Sequence, residues 1–256
     1  MGRRSTSRPP RRRRILITGA SSGLGAQMAR VWAADGRDLV LCARRLPELD
    51  RLRDELLGEH PGRTILIKPL DVNDRVAVDR VFSEARAELG GLDRVVANAG
   101  IGRGEPIGVG SGEANYATAQ TNFLGVLNQA EAALAEFRRV NAGHLVVMSS
   151  MASLRGLRGG VTVYAASKAA VANLAEGLRS DLWETPITVT SLHPGYIKTA
   201  MTEANPELRL AAPLESATAE LVRVVEEERP RAYVPAWPWA PLSLVMKYMP
   251  LGVFRR

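Results

Sequence analysis

Cysteine is nearly absent from this chain: Cys42 stands alone among 256 residues. No disulfide can form within one copy, so stability must come from a buried core. A lone thiol in an apolar run suits a reducing, cytoplasmic compartment. Histidine is almost as scarce. His60, His144 and His193 show no ligand spacing, so no metal site is expected. No repeat and no internal linker interrupts the chain. From Tyr233 to Phe254 an apolar stretch approaches the length of a membrane span, with Lys247 its only charge. Pro235, Pro238, Pro241 and Pro250 argue against one continuous helix there, which excludes a span.

Acid is missing from the first fourteen residues, where Arg3, Arg4, Arg8 and Arg11 to Arg14 supply seven positive charges. The formal charge of the whole chain is also +7, and 34 basic residues less those seven leaves 27, equal to the 27 acids. The excess charge therefore reports the segment and not the body. With Ser5, Thr6, Ser7, Pro9 and Pro10, residues 1–14 read as a disordered, solvated extension. Nonspecific contact with anionic lipid or nucleic acid ranks lower, and no specific nucleic-acid partner is expected. Met1-Gly2-Arg3-Arg4-Ser5-Thr6 also fits a myristoylation pattern, of consequence only in a eukaryotic host.

Apolar residues make up 46% of the sequence, enough to cover both faces of a sheet. Strand-like runs fall near Ile15–Thr18, Leu39–Cys42, Thr64–Lys68, Arg94–Ala97, His144–Met148, Thr188–Leu192 and Ala232–Val234. Helical patterns fill the intervals. The alternation predicts a single α/β domain over 15–235, a Rossmann-type doubly wound, mostly parallel seven-stranded sheet.

Three constellations carry chemistry. The first strand runs into Thr18-Gly19-Ala20-Ser21-Ser22-Gly23-Leu24-Gly25, and Met28, Val31 and Trp32 then keep a helical period. Strand, glycine turn and helix point free N–H groups and a positive helix end at a phosphate. A bare glycine motif is as often a plain turn, and this spacing departs from the usual dinucleotide fingerprint. The second is Asn98-Ala99-Gly100 closing the fourth strand, followed by Asn122 and by Ser149-Ser150 after the fifth. The third is Tyr164-Ala165-Ala166-Ser167-Lys168. Four residues apart on a helix, Tyr164 and Lys168 share a face. An ammonium there is expected to lower the phenol below its usual value of about 10, letting it exchange protons near neutral pH. Alone, such a pair is usually a solvated helix face.

Together these motifs, with Pro194-Gly195, occur in the order and at the intervals of the short-chain dehydrogenase/reductase family, and the resemblance runs from about Ile15 to about Pro235. It implies Tyr164 as acid/base and Lys168 as its partner on the nicotinamide ribose. Asn122 stands where the family holds a water on the lysine, and Ser150 where it hydrogen-bonds the substrate carbonyl. Strand alternation lets only one of Ser149 and Ser150 face the site; Ser149 would lie further from Tyr164, and Ser153 is the other candidate. The interval from Ser150 to Tyr164 is one residue longer than is usual, an insertion that the loop Leu154–Gly160 can absorb. Thr18, Gly19, Ser21, Ser22, Gly23, Leu24 and Gly25 would cradle the coenzyme phosphates. Asp71 and Val72 would contact adenine, Asn98, Ala99 and Gly100 the adenosine ribose side, and Pro194, Gly195, Ile197 and Thr199 the nicotinamide. His193 reads as structural. The family also implies a homodimer or homotetramer built from helices flanking Asn122 and Tyr164.

Cofactor preference is legible at the end of the second strand. An NAD enzyme generally carries Asp or Glu there for the ribose 2′-hydroxyl. Here Ala43 accepts nothing, and Arg44 and Arg45 follow. A guanidinium suits a phosphate, so NADP(H) is expected, with Arg44 the main contact and Arg45 supporting it. The leading function is an NADP(H)-dependent oxidoreductase interconverting a ketone or aldehyde and an alcohol on a moderately apolar substrate. A loop over about 196–213, with Met201, Leu208 and Leu210, would cover that substrate. Alternatives are an NADP(H)-sensing regulatory protein without turnover, and an adaptor working through the arginine segment. For 236–256, packing on the subunit or a partner is favoured over an interfacial membrane anchor with tryptophans at headgroup depth.

Overall fold

Parallel strands buried on both faces need apolar side chains pointing both ways, and this chain supplies them residue by residue. In the computed structural model, which describes residues 9–199, 202, 210–250 and 252, seven strands form one sheet. They are β1 (Arg14–Thr18), β2 (Asp38–Ala43), β3 (Ile65–Pro69), β4 (Arg94–Ala97), β5 (Gly143–Met148), β6 (Ile187–Pro194) and β7 (Arg231–Val234). The order is β3-β2-β1-β4-β5-β6-β7 and every neighbouring pair is parallel. The helices are α1 (Gly23–Ala34), α2 (Leu46–Glu59), α3 (Arg75–Leu89), α4 (Glu113–Ala119), α5 (Gly125–Val140), α6 (Thr162–Asp181), α7 (Leu214–Glu226) and α8 (Ala236–Tyr248). The expected doubly wound, single-domain fold is the fold observed.

Strand alternation sorts the core into two layers. Ile15, Ile17, Leu39, Leu41, Val96 and Val146 face Met28 and Trp32 of α1, Leu49 and Leu52 of α2, and Leu221 and Val225 of α7. Leu16, Val40, Val95, Leu145 and Val147 face Val81 and Phe82 of α3, Phe137 of α5 and Val171 of α6. Cys42 belongs to this second layer, where desolvation pushes its thiol up to about 12. Local signals agree: Asp74 caps α3 by accepting from the Ala77 N–H, and Gly90 ends that helix in the left-handed region at φ 68°.

One expectation needs correction. The disordered extension does not reach residue 14. Arg14 opens β1 and pairs with Asp93 at 2.6 Å, Arg12 is buried against Glu228 at 2.7 Å, and Arg11 lies 3.7 Å from Asp35. Acids distant in sequence neutralise these arginines, so the folded body begins near Arg11. Arg3, Arg4 and Arg8 lie outside the described residues. Among the described residues the prolines do leave no continuous helix over the C-terminal stretch, where α8 covers only Ala236–Tyr248. The backbone at Trp237 is extended (φ −100°, ψ 131°), so the regular helix starts at Pro238 and Pro241 sits one turn in. The first turn needs no N–H partner there, which is why proline is tolerated. Among the described residues no helix is long and apolar enough to cross a membrane.

Below the sheet's N-terminal edge lies a polar layer that the sequence did not announce. The fully buried Arg94 pairs with Glu226 and donates from Nε to His144 Nδ1 at 2.9 Å. His144 Nε2 then faces Thr190 Oγ1 at 2.8 Å, so this nitrogen carries the proton. Glu226 also accepts from Trp32 Nε1 at 2.9 Å and Arg37 at 3.1 Å. Burial, then Arg94 and Arg12, hold His144 well below the usual imidazole value.

Candidate active site

Strand order reverses between β1 and β4, and parallel sheets open their binding crevice at such a point, beyond the C-terminal strand ends. The expected site residues gather along that edge. Thr18 ends β1, Arg44 and Arg45 follow β2, Asp71 and Val72 follow β3, Asn98 to Gly100 follow β4, Ser149 and Ser150 follow β5, and Pro194 ends β6.

The turn between β1 and α1 is built for close approach. Gly19 and Gly23 take φ of +63° and +54°, which a side chain would oppose. A Cβ at Gly19 would lie 2.9 Å from Ala99 Cα, and one at Gly25 would collide with the Gly19 carbonyl. The Ser22 side chain makes no capping bond, so the first N–H groups of α1 have no side-chain cap. Asn98 Nδ2 donates to the Thr18 carbonyl at 2.9 Å, while Thr18 Oγ1 accepts from the Asn98 and Ala99 N–H groups, each at 3.1 Å. That hydroxyl in turn donates to Gln129 Oε1 at 2.8 Å. Gln129, fully buried on α5, went unnoticed in the sequence because nothing local ties it to position 18.

Arginine placement refines the reading of the second strand's end. Arg45 Nη2 donates to Ser21 Oγ at 2.9 Å and Ser22 Oγ at 2.8 Å, so its charge sits on the glycine turn. Arg44 is exposed and reaches Asp71 at only 3.8 Å. Asp71 Oδ1 accepts from the Asn73 N–H at 3.0 Å, and the buried Val72 gives its carbonyl to Asn128 Nδ2 at 3.0 Å. A guanidinium, two hydroxyls and a glycine cradle with no carboxylate at Ala43 make a donor set that fits a phosphorylated dinucleotide.

Around Tyr164 the polypeptide closes tightly. Asn122 lies in a π-helical turn, Gln120–Leu124, between α4 and α5, and such bulges often mark functional positions. Its amide clasps Ile101 through both backbone groups, at 2.8 and 2.9 Å. Gly100 is pinned beside it: a Cβ there would lie 3.1 Å from Asn122 Oδ1 and 3.4 Å from Lys168 Nζ. Lys168 Nζ donates to the Met148 carbonyl at 2.8 Å and lies 5.8 Å from the Tyr164 ring centre. Ser149 is turned away, its hydroxyl donating to the Lys168 carbonyl at 2.8 Å, while Ser150 Oγ accepts from the Ala152 N–H at 3.1 Å and lies near enough to the Tyr164 phenol to favour its charged form.

The expected direction of the tyrosine shift is not what the folded protein produces. Burial raises the Tyr164 pKa, Ser150 partly opposes that, and Tyr196 adds to it because a second negative charge would be repelled. Lys168 is itself desolvated to about 8, and its donor is spent on Met148 rather than on the phenol. Desolvation therefore outweighs helical proximity, which the sequence cannot reveal. His193 sits under the serine turn, with Ser153 Oγ at 3.1 Å and Ser191 Oγ at 3.3 Å, and burial lowers its pKa to about 4.

Two aromatic residues emerge only in three dimensions. Tyr196 follows Gly195 and meets Trp239 of α8 edge-on at 5.5 Å. Any Cβ at Gly195 would collide with the Trp239 indole, so this glycine is where α8 closes on the site. Beyond Tyr196, Ile197 pairs with Ala212 to close the base of the substrate loop, and Thr199 lies 3.7 Å from where a Gly23 Cβ would be. Leu210 is exposed at that loop's end, whereas Met201 and Leu208 lie outside the described residues.

Known proteins share this arrangement. A family model described as short chain dehydrogenase matches residues 13–209. An uncharacterized oxidoreductase of Mycobacterium tuberculosis is 48% identical over 245 residues, covering 96% of this chain and 97% of its own. Among solved structures, an alcohol dehydrogenase of the archaeon Thermococcus sibiricus complexed with 5-hydroxy-NADP is similar with TM-score 0.76 and 27% identity, over 86% of this chain and 95% of that one. A serine dehydrogenase in its closed form with NADP⁺ gives TM-score 0.79 and 27% identity, over 87% and 95%.

Proposed function

Since this chain belongs to the short-chain dehydrogenase family and is an oxidoreductase of that family, we propose that it is an NADP(H)-dependent carbonyl reductase and alcohol dehydrogenase acting on a moderately apolar substrate. The observation that carries this reading is the partly covered Tyr164 phenol beside Ser150, with the Lys168 ammonium one helical turn away and 5.8 Å from the ring centre. The bound nicotinamide supplies hydride to the carbonyl carbon, or accepts it from the alcohol.

The chain's own residues handle binding and protons. Gly19, Gly23 and Gly25 let the pyrophosphate approach the backbone, and Arg45 with Ser21 and Ser22 places donors beside it. Arg44, exposed and only loosely paired, meets the 2′-phosphate. Asp71 and Val72 border the adenine, and Thr199 and Ile197 the nicotinamide. Ser150 orients the substrate oxygen toward the Tyr164 hydroxyl. A phenol raised by burial stays protonated at neutral pH, which suits it to donate in the reducing direction. In oxidation the phenolate must form, and the Lys168 charge, kept below pH about 8, favours it. Asn122 is a positioning residue that fixes the strand-end loop beside Lys168, where it completes the route that resupplies the proton.

The test is a panel of ketones and alcohols followed at the nicotinamide absorbance with NADPH, NADP⁺, NADH and NAD⁺. Tyr164→Phe should lose about 10²–10⁴ in kcat with coenzyme affinity unchanged. Arg44→Ala should weaken NADPH binding and leave NADH alone. Equal use of NADH by the native protein, or full turnover by Tyr164→Phe, would refute the proposal.

A further inference from the structure

A helix apolar all round belongs in a core, but α8 is only half covered. Its inner face is accounted for. Trp239 and Ser243 are buried, and the helix packs on β7 and on the short turn after Ser150. The outer face is the anomaly. Leu244 is 63% exposed, Val245 49% and Tyr248 73%, and Trp237 at the helix start is 79% exposed. Pro241 is exposed on the same stripe, since positions 241, 244, 245 and 248 follow the helical repeat, and Trp237 precedes the regular helix.

Among the described residues the charge on this stripe has one sign. No Asp or Glu follows Glu228 in the sequence. Lys247 is exposed beside Tyr248, and Arg155 reaches the Lys247 carbonyl at 3.4 Å. The acid near the helix start, Glu220, is committed to the Ala236 N–H at 2.9 Å. A second copy of the chain is a poor match for this face. A two-fold contact would bring two copies of Lys247 into one interface with no acid on either helix to pair them. An anionic bilayer surface matches on both counts: tryptophan and tyrosine rest at headgroup depth, aliphatic side chains enter the acyl boundary, and the lysine meets phosphates. A helix of 13 residues with two prolines near its start lies in the interface and does not span it.

We propose that the outer face of α8 (Trp237, Leu244, Val245, Tyr248 and Lys247) is a docking surface for an anionic lipid membrane. The inference does not depend on the reaction assigned to the site. The arginines of residues 11–14 sit at the opposite, N-terminal edge of the sheet, so the two basic regions can be tested apart.

The experiment is co-sedimentation of the full-length protein with vesicles of phosphatidylcholine alone and of phosphatidylcholine with phosphatidylserine, at low and high salt. The comparison protein is the triple variant Trp237→Ser, Leu244→Ser, Tyr248→Ser, whose substitutions are all solvent-exposed and leave the core intact. The native chain should pellet with the phosphatidylserine vesicles, less so in high salt, and the triple variant should bind at least roughly tenfold more weakly. Coenzyme binding by the variant should match the native chain and report its fold. A native chain that stays in the supernatant overturns the proposal. So does a triple variant that pellets as well as native. A change of mass in sedimentation velocity without vesicle binding also overturns it, and assigns the face to a second copy.

Discussion

Glu226→Gln isolates the buried charge beneath the sheet with almost no change of shape. Glu226 neutralises Arg94, which is fully buried, and also accepts from Trp32 Nε1 and Arg37. Desolvation lowers the Arg94 pKa, and the Glu226 charge is the largest opposing influence. Removing one partner of a buried pair costs about 3–5 kcal/mol, because the remaining charge stays buried without compensation. Glu226 is itself 27% exposed on its side chain, and Glu228 stands nearby, so the low end, about 3 kcal/mol, is expected here. For a chain of this size that lowers Tm by roughly 10 °C. Urea unfolding and calorimetry measure it. Adding Arg94→Met should recover part of the loss, since the uncompensated charge is then gone. Because the cluster lies at the strand edge opposite the active site, kcat/KM well below Tm should not change. A loss under about 1 kcal/mol, or no recovery in the double variant, would refute the reasoning.

Lys168→Met should abolish turnover and yet stabilise the fold. The folded value of about 8 lies below the usual 10.5, so below pH about 8 both states hold the proton and the burial penalty is complete. Between those values only the unfolded chain binds the proton, and native stability rises with pH. At pH 7 the substitution removes about 3 kcal/mol of penalty and forfeits about 1 kcal/mol of hydrogen bond to Met148, a net gain near 2 kcal/mol by urea unfolding. The two buried histidines act at the other end of the scale. His144 is held well below 6.5 and His193 near 4, so below pH 6.5 the unfolded chain takes up protons that the folded chain refuses. The loss of stability should steepen as pH falls below 6.5, approaching about 2–3 kcal/mol per pH unit near pH 5, and His144→Gln should halve that slope. A flat profile between pH 6.5 and 5 contradicts it.

Much of the fold was legible because parallel strands carry their own signal. Runs such as Ile15 to Ile17 and Leu145 to Met148 are apolar at every position, as strands covered on both faces must be, and glycines mark the turn into α1. The grouping of the candidate site residues was legible where they fall close together in the chain, as in Tyr164 and Lys168 on one helical face or Asn98 to Gly100 at a strand end. The prolines told against one continuous helix at the C-terminal end, but not where the shorter α8 begins. That is set by the backbone at Trp237 and not by residue identity.

The order of residues alone determined that a sheet of seven parallel strands would form and that a phenol and an ammonium would share a turn of helix. It also determined that no acid would wait at the second strand's end. Tertiary structure decided the rest, because desolvation and charge pairing depend on neighbours far away along the chain. Gln129 meets Thr18, Glu226 meets Arg94, Trp239 meets Gly195, and burial rather than helical proximity decides which way Tyr164 is tuned. Each of these brings together groups more than forty residues apart or turns on how much water a group has lost, and neither is written in local pattern.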